Sequence, residues 1–162
     1  MTDLQRLHFL RIESILDNAK RGPMYLGNSS VADVVFNSFM WLEERYGWLI
    51  HALTIMPNHV HVLLRNTKGD NHLLLQHLGV LKGWTAREAN KILKRTGSFW
   101  MDENYDHWCR STEKVESAAK YIVDNPVKAG LVSQWKEWQW TYVGRPEGAL
   151  VGQEWPTYGI DE

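Results

Sequence analysis

The chain has 162 residues, with 18 basic and 19 acidic side chains and a formal net charge of −1. That length suits one domain with a sizeable core, and 44% apolar with 23% charged residues excludes collagenous, mucin-like and disordered chains. A single cysteine, Cys109, cannot form an internal disulfide and points to a reducing, cytoplasmic setting; no apolar run is long enough to span a bilayer, and Asp3 and Arg6 interrupt any signal-peptide stretch.

Residues 3–20 show mixed helical spacing, with Leu4, Leu7, Leu10 or Arg11, and Ile15 recurring every three or four residues, which predicts a helix broken at Arg21-Gly22-Pro23. Asn28-Ser29-Ser30 offers N-caps for a helix from about Val31 to Tyr46, ended by Gly47, with Val31, Val34, Val35, Phe39 and Leu42 as its buried stripe. Residues 48–56 and 59–65 read as antiparallel strands joined at Pro57-Asn58. Residues 71–95 read as one or two helices, and Tyr105 to Arg110 as a strand. Ser111-Thr112 caps a helix from about Glu113 to Asp124, which Asn125-Pro126 is expected to stop. From Ser133 the chain holds Trp135, Trp138, Trp140 and Trp155 among Gly and Pro, and reads as irregular structure packed on the core. These elements predict one α+β domain over 1–162, with a helical part to residue 47, a middle part over 48–132 and a Trp-rich tail over 133–162.

Two features of that layout carry chemistry. His59 and His61 are two apart on a strand, so their imidazoles leave the same face while Val60, Val62 and Leu64 leave the other. Such a pair is half of a divalent-metal site or simply two polar strand residues. Tyr121 and Asn125 lie one helical turn apart, a nucleophile beside an amide ligand or an amphipathic edge beside a helix cap.

Together the runs Met56-Pro57-Asn58-His59-Val60-His61-Val62-Leu63-Leu64 and Tyr121-Ile122-Val123-Asp124-Asn125-Pro126-Val127-Lys128-Ala129-Gly130-Leu131-Val132 resemble the single-tyrosine HUH transposases, most of all their REP-associated tyrosine transposase branch. Arg21-Gly22-Pro23, Leu81 to Arg87, Gly97 to Trp100, Tyr105-Asp106-His107 and Trp138-Gln139-Trp140 extend the similarity over about residues 10–143. The resemblance implies a ferredoxin-like antiparallel sheet flanked by helices. It implies Tyr121 as nucleophile, His59, His61 and Asn125 as ligands of Mg²⁺ or Mn²⁺, and single-stranded DNA with hairpin elements as substrate. The implied reaction leaves a 5′-phosphotyrosine link and a free 3′-OH, and the implied protein is a nucleoid-associated monomer or homodimer. A phenol attacks poorly until its proton leaves, and a divalent cation offsets charge gathering on phosphorus, so the chemistry and the residue types agree. No Gly-rich nucleotide loop occurs, and a phosphotyrosine that conserves the phosphodiester's energy requires none.

Charge distribution supports a polyanionic partner. Residues 59–100 carry seven basic and two acidic side chains, while 1–58 sum to −1 and 101–162 to −5. On a helix over 80–95, Arg87, Lys91, Lys94 and Arg95 share a face with Trp84 at its edge, a candidate surface for phosphates and an unstacked base. Leu81, Ala89, Ile92 and Leu93 take the opposite side; Lys82 and Arg110 are secondary DNA-binding candidates. The competing reading has Trp84 buried and the cations solvated.

Against the resemblance stands the N-terminus. The family opens with a strand inside the sheet, whereas residues 3–20 look helical, so the chain lacks that strand unless residues 7–13 take its place. Two further readings therefore stand beside a DNA-cleaving transposase: a non-cleaving or domesticated hairpin-binding protein, and an unrelated metal-dependent hydrolase that does without Tyr121.

Overall fold

In the computed structural model, residues 7–14 and 23–144 are described. The elements follow in the order β1 (Leu7–Ser14), α1 (Ser29–Tyr46), β2 (Trp48–Ile55), β3 (His59–Asn66), α2 (Leu74–Ile92), β4 (Trp100–Cys109), α3 (Thr112–Lys128) and β5 (Thr141–Val143), with short 3₁₀ turns at Tyr25–Gly27, Asn71–Leu73 and Trp135–Glu137. The five strands form one sheet in the order β4-β1-β3-β2-β5, with every pairing antiparallel. The first six elements make the ferredoxin-like βαββαβ pattern. α3 and β5 are additions to it.

Residues 7–14 are a strand, which corrects the helical reading of this segment and supplies the opening strand whose absence was expected. Leu10 is fully buried in the core that α1 and α2 cover, and Phe9 packs against the cluster on the opposite face. A strand covered on both faces shows no polar alternation, and its apolar run imitates helical spacing. Pairing to β3 on one side and β4 on the other decides the conformation, as tertiary context commonly does. β1 thereby covers the backbone edge that β3 would otherwise expose. Residues 3–6 and 15–20 of the expected helix, Arg21-Gly22 and Trp155 lie outside the described residues.

The sheet separates two cores. Val60, Val62 and Leu64 of β3 join Trp48, Ile50, Leu53 and Ile55 of β2 under α1 and α2. Ala52 and Leu63 face α3 with Val115, Ala119, Ile122 and Val123. A register shift between Ile50 and Ala52 lets β2 send both Ile50 and Leu53 to the same face, because one extra residue inverts the alternation.

Caps set the helix ends. Asn28 accepts a hydrogen bond from the Val31 amide at 3.3 Å, and Gly47 closes α1 at φ 71°, where a β-carbon would also meet Thr67 Oγ1 at 2.9 Å. Ser111 accepts from the Lys114 amide at 3.3 Å. α3 does not stop at Asn125-Pro126: Pro126 sits buried inside the helix, and Ala129 N donates to Asn125 O and Leu131 N to Pro126 O, each at 2.9 Å. Proline has no amide hydrogen to give the turn before it, and the turn after it keeps its own hydrogen bonds. The tail is likewise more regular than expected. β5 pairs with β2, Trp138 Nε1 donates to Ile55 O, and Trp140 Nε1 donates to Asp33 Oδ1, both at 2.9 Å.

Candidate active site

The register of the sheet brings the site together. One row crosses it as Tyr105, Arg11, His61, Thr54 and Thr141; the row two residues along runs His107, Phe9, Leu63, Ala52 and Val143. His59 and His61 lie on the face that α3 covers, since Val60 and Val62 occupy the other core. His61 is 2% exposed. Its ring stacks on Phe9 with centroids 5.7 Å apart and meets the edge of Tyr121 at 5.3 Å. Tyr121 is half-exposed on α3, also edge-on to Phe9 at 6.1 Å, with Lys128 Nζ 5.3 Å from its ring centre.

The Nε2 atoms of the two histidines are 3.0 Å apart. His59 Nδ1 lies 2.7 Å from Asn58 Oδ1; donating its proton there leaves the Nε2 lone pair available, the tautomer that a metal ligand requires. At 3.0 Å apart the two Nε2 atoms converge closely enough to approach one cation together. Among the described residues no group of three or more His, Cys, Asp and Glu gathers, so no carboxylate joins the two imidazoles in such a cluster. Asn125 stands one turn after Tyr121, and its side-chain amide turns back to donate to Tyr121 O at 3.4 Å.

Beside Tyr121, between α3 and the edge strand β4, runs a cleft of about 780 Å³ whose walls include Phe9, His61, Tyr105, His107, Lys114 and Tyr121. Cys109 closes it from below, its thiol pushed up by burial and drawn back by the nearby Lys114 ammonium. Lys114, Tyr121 and Lys128 follow one another at seven-residue steps, two helical turns each, so the nucleophile candidate has a lysine above and below it on one stripe. Sequence reading missed both lysines and the aromatic wall, although the seven-residue spacing was visible.

The DNA-binding candidates on α2 fall elsewhere. α2 lies across the sheet from α3, so its stripe and the histidine pair occupy opposite layers. Trp84 is 51% exposed with the Arg87 guanidinium 5.9 Å from its ring, which overturns the buried alternative for this residue. Lys91 pairs with Glu88 at 2.7 Å, and Lys94 is exposed with φ 51°. Arg95 bonds to Asn90 Oδ1 and Ser98 O and covers the Tyr25 ring, so its guanidinium shapes the turn before β4. Ile92, expected on the buried side, is 37% exposed because α2 ends there. Lys82 reaches the other way: its Nζ donates to Met101 O at 2.6 Å and Asn104 Oδ1 at 3.1 Å, and burial lowers its pKa against the opposing charge of Asp102. Arg110 is exposed between β4 and the α3 cap.

Comparison with known proteins follows the same lines. The family profile described as "Transposase IS200 like" matches residues 19–125, about two thirds of the chain. The chain belongs to the IS200-like transposase family. A protein of Haemophilus influenzae named for a REP-associated tyrosine transposase is 25% identical over 120 residues, covering 68% of this chain and 68% of its own length. The REP-associated tyrosine transposase of Escherichia coli K12 is 27% identical over 89 residues, covering 55% of this chain and half of its own length. A solved structure of a REP-associated tyrosine transposase bound to a REP hairpin shares the fold, with a TM-score of 0.62, 17% identity, and coverage of 84% of this chain and 75% of that one. No helix among the described residues is long and apolar enough to cross a membrane.

Proposed function

We propose that this member of the IS200-like transposases cleaves and rejoins single-stranded DNA beside a hairpin through a phosphotyrosine at Tyr121. The observation that carries the reading is the approach of the Tyr121 ring to within 5.3 Å of the His61 ring, on the face where the two imidazole Nε2 atoms converge. The Tyr121 oxygen gives up its proton and bonds to the phosphorus, which keeps its 5′ oxygen; the bond to the preceding 3′ oxygen breaks, and that oxygen takes up a proton to leave as a 3′-OH. Reversal by another 3′-OH rejoins the strand without an external energy source. His59, His61 and the Asn125 amide oxygen would hold a divalent cation, which supplies positive charge at the phosphoryl oxygens when bound. Lys114 and Lys128 flank the nucleophile and hold the phosphates on either side of the scissile one.

The REP hairpin bound by the structural neighbour supports a folded single strand as the substrate of this chain too. A non-cleaving hairpin binder was favoured by the missing opening strand, and β1 removes that ground. The experiment is incubation of the chain with end-labelled single-stranded hairpin DNA and Mg²⁺ or Mn²⁺. A covalent protein–DNA species that Tyr121→Phe abolishes, with DNA binding intact, is the expected result. An adduct that survives Tyr121→Phe defeats the assignment.

A further inference from the structure

The aromatic wall of the cleft has no structural task that accounts for it. Tyr105 is 61% exposed on the edge strand β4, so its ring adds little to either core. It stands edge-on to Phe9 at 6.5 Å, two register positions from it. The His107 ring lies nearly parallel to it, 18° between planes and 6.5 Å between centroids. Through Phe9 the pair is continuous with His61 and Tyr121, because Phe9 touches all three rings. Exposed aromatic faces in a common orientation beside a cation are what an unstacked base requires, since every base offers a π face.

We infer that Tyr105 and His107 form a binding site for one unpaired nucleobase, held next to Tyr121 so that the adjoining phosphate lies at the nucleophile. This site deepens the proposed function and rests on it for the identity of the nucleic acid.

The test uses the full chain and two synthetic DNA hairpins with the same stem, one blunt and one carrying a short single-stranded flank. Flank thymines are replaced one at a time by the photo-crosslinking base 5-iodouracil. Crosslinks from one flank position to Tyr105 or His107, mapped by mass spectrometry, are expected. Tyr105→Leu is expected to weaken the flanked hairpin about tenfold relative to the blunt one, and Tyr105→Phe to restore it. Equal loss on both hairpins, no loss on either, or crosslinks confined to α2 overturns the inference, as does failure of the wild-type chain to bind either hairpin. The two readings fail separately. Absence of a covalent adduct from the wild-type chain defeats the phosphotyrosine reaction while the crosslinks still report the base site, and adduct formation with undiminished flank affinity in Tyr105→Leu defeats the base site alone.

Discussion

His59 and His61 place their Nε2 atoms 3.0 Å apart on one rigid central strand, with β1 and β2 bonded to its two edges. Neither ring needs to move far to meet a common ion. The Mn²⁺ affinity of the chain, measured by titration calorimetry or electron paramagnetic resonance, is therefore expected to fall at least tenfold in either His59→Ala or His61→Ala. Asn125→Ala is expected to cost less, since an amide is the weakest donor of the three. Retained affinity in the double histidine variant removes the metal site from this face.

Lys128 holds its ammonium 5.3 Å from the Tyr121 ring centre. A cation there steadies the ring by cation–π attraction, worth about 1 kcal/mol at a half-exposed position. Lys128→Gln is expected to slow adduct formation about fivefold at saturating DNA, measured by quenched time courses on gels. An unchanged rate with weakened affinity would reduce Lys128 to a phosphate contact.

The α2 stripe lies on the layer opposite Tyr121, so it can contribute attraction without touching the chemistry. Changing Lys91 and Lys94 to Ala is expected to reduce the slope of log affinity against log salt by up to about two, and to leave the rate at saturating DNA unaltered. Binding isotherms over a salt series decide this. A slope identical to wild type retires the stripe as a DNA surface.

A buried histidine makes stability depend on pH. His77 stacks on Tyr46 with centroids 3.9 Å apart and accepts the Trp48 indole proton at Nδ1, 2.9 Å away. Burial holds its imidazole below the ordinary value of 6.5, and the acceptor role also requires an unprotonated Nδ1. The unfolded chain therefore binds a proton that the folded chain refuses. The contribution is fully present above about pH 6.5 and is lost as pH falls below it. Thermal unfolding between pH 8 and pH 5 is expected to show a smaller acid loss in His77→Gln than in wild type. Parallel curves contradict it.

The parts of the site legible in the sequence were those governed by short periods. His-x-His on a strand and Tyr-x-x-x-Asn on a helix fix which side chains share a face whatever the rest of the chain does. α1, β2, β3 and α3 were legible for the same reason, with Asn28, Gly47 and Ser111 marking their ends. β1 was not, because a strand buried on both faces carries no alternation and its partners lie some fifty and ninety residues away. The position of the α2 cations relative to the histidines was hidden for a related reason. A helical wheel shows that Arg87, Lys91 and Lys94 are together, but only the two-faced sheet shows that they stand behind the histidines. The Tyr105 and His107 wall depended on β4 being an edge strand, which no local pattern records.

The central claim is that Tyr121 takes the DNA 5′-phosphate. Digesting the adduct with nuclease and protease and sequencing the modified peptide by mass spectrometry tests it directly. A nucleotide phosphate on Tyr121, absent when the metal is chelated, is the predicted result; a phosphate on Tyr105, on a histidine, or on no residue of α3 contradicts it.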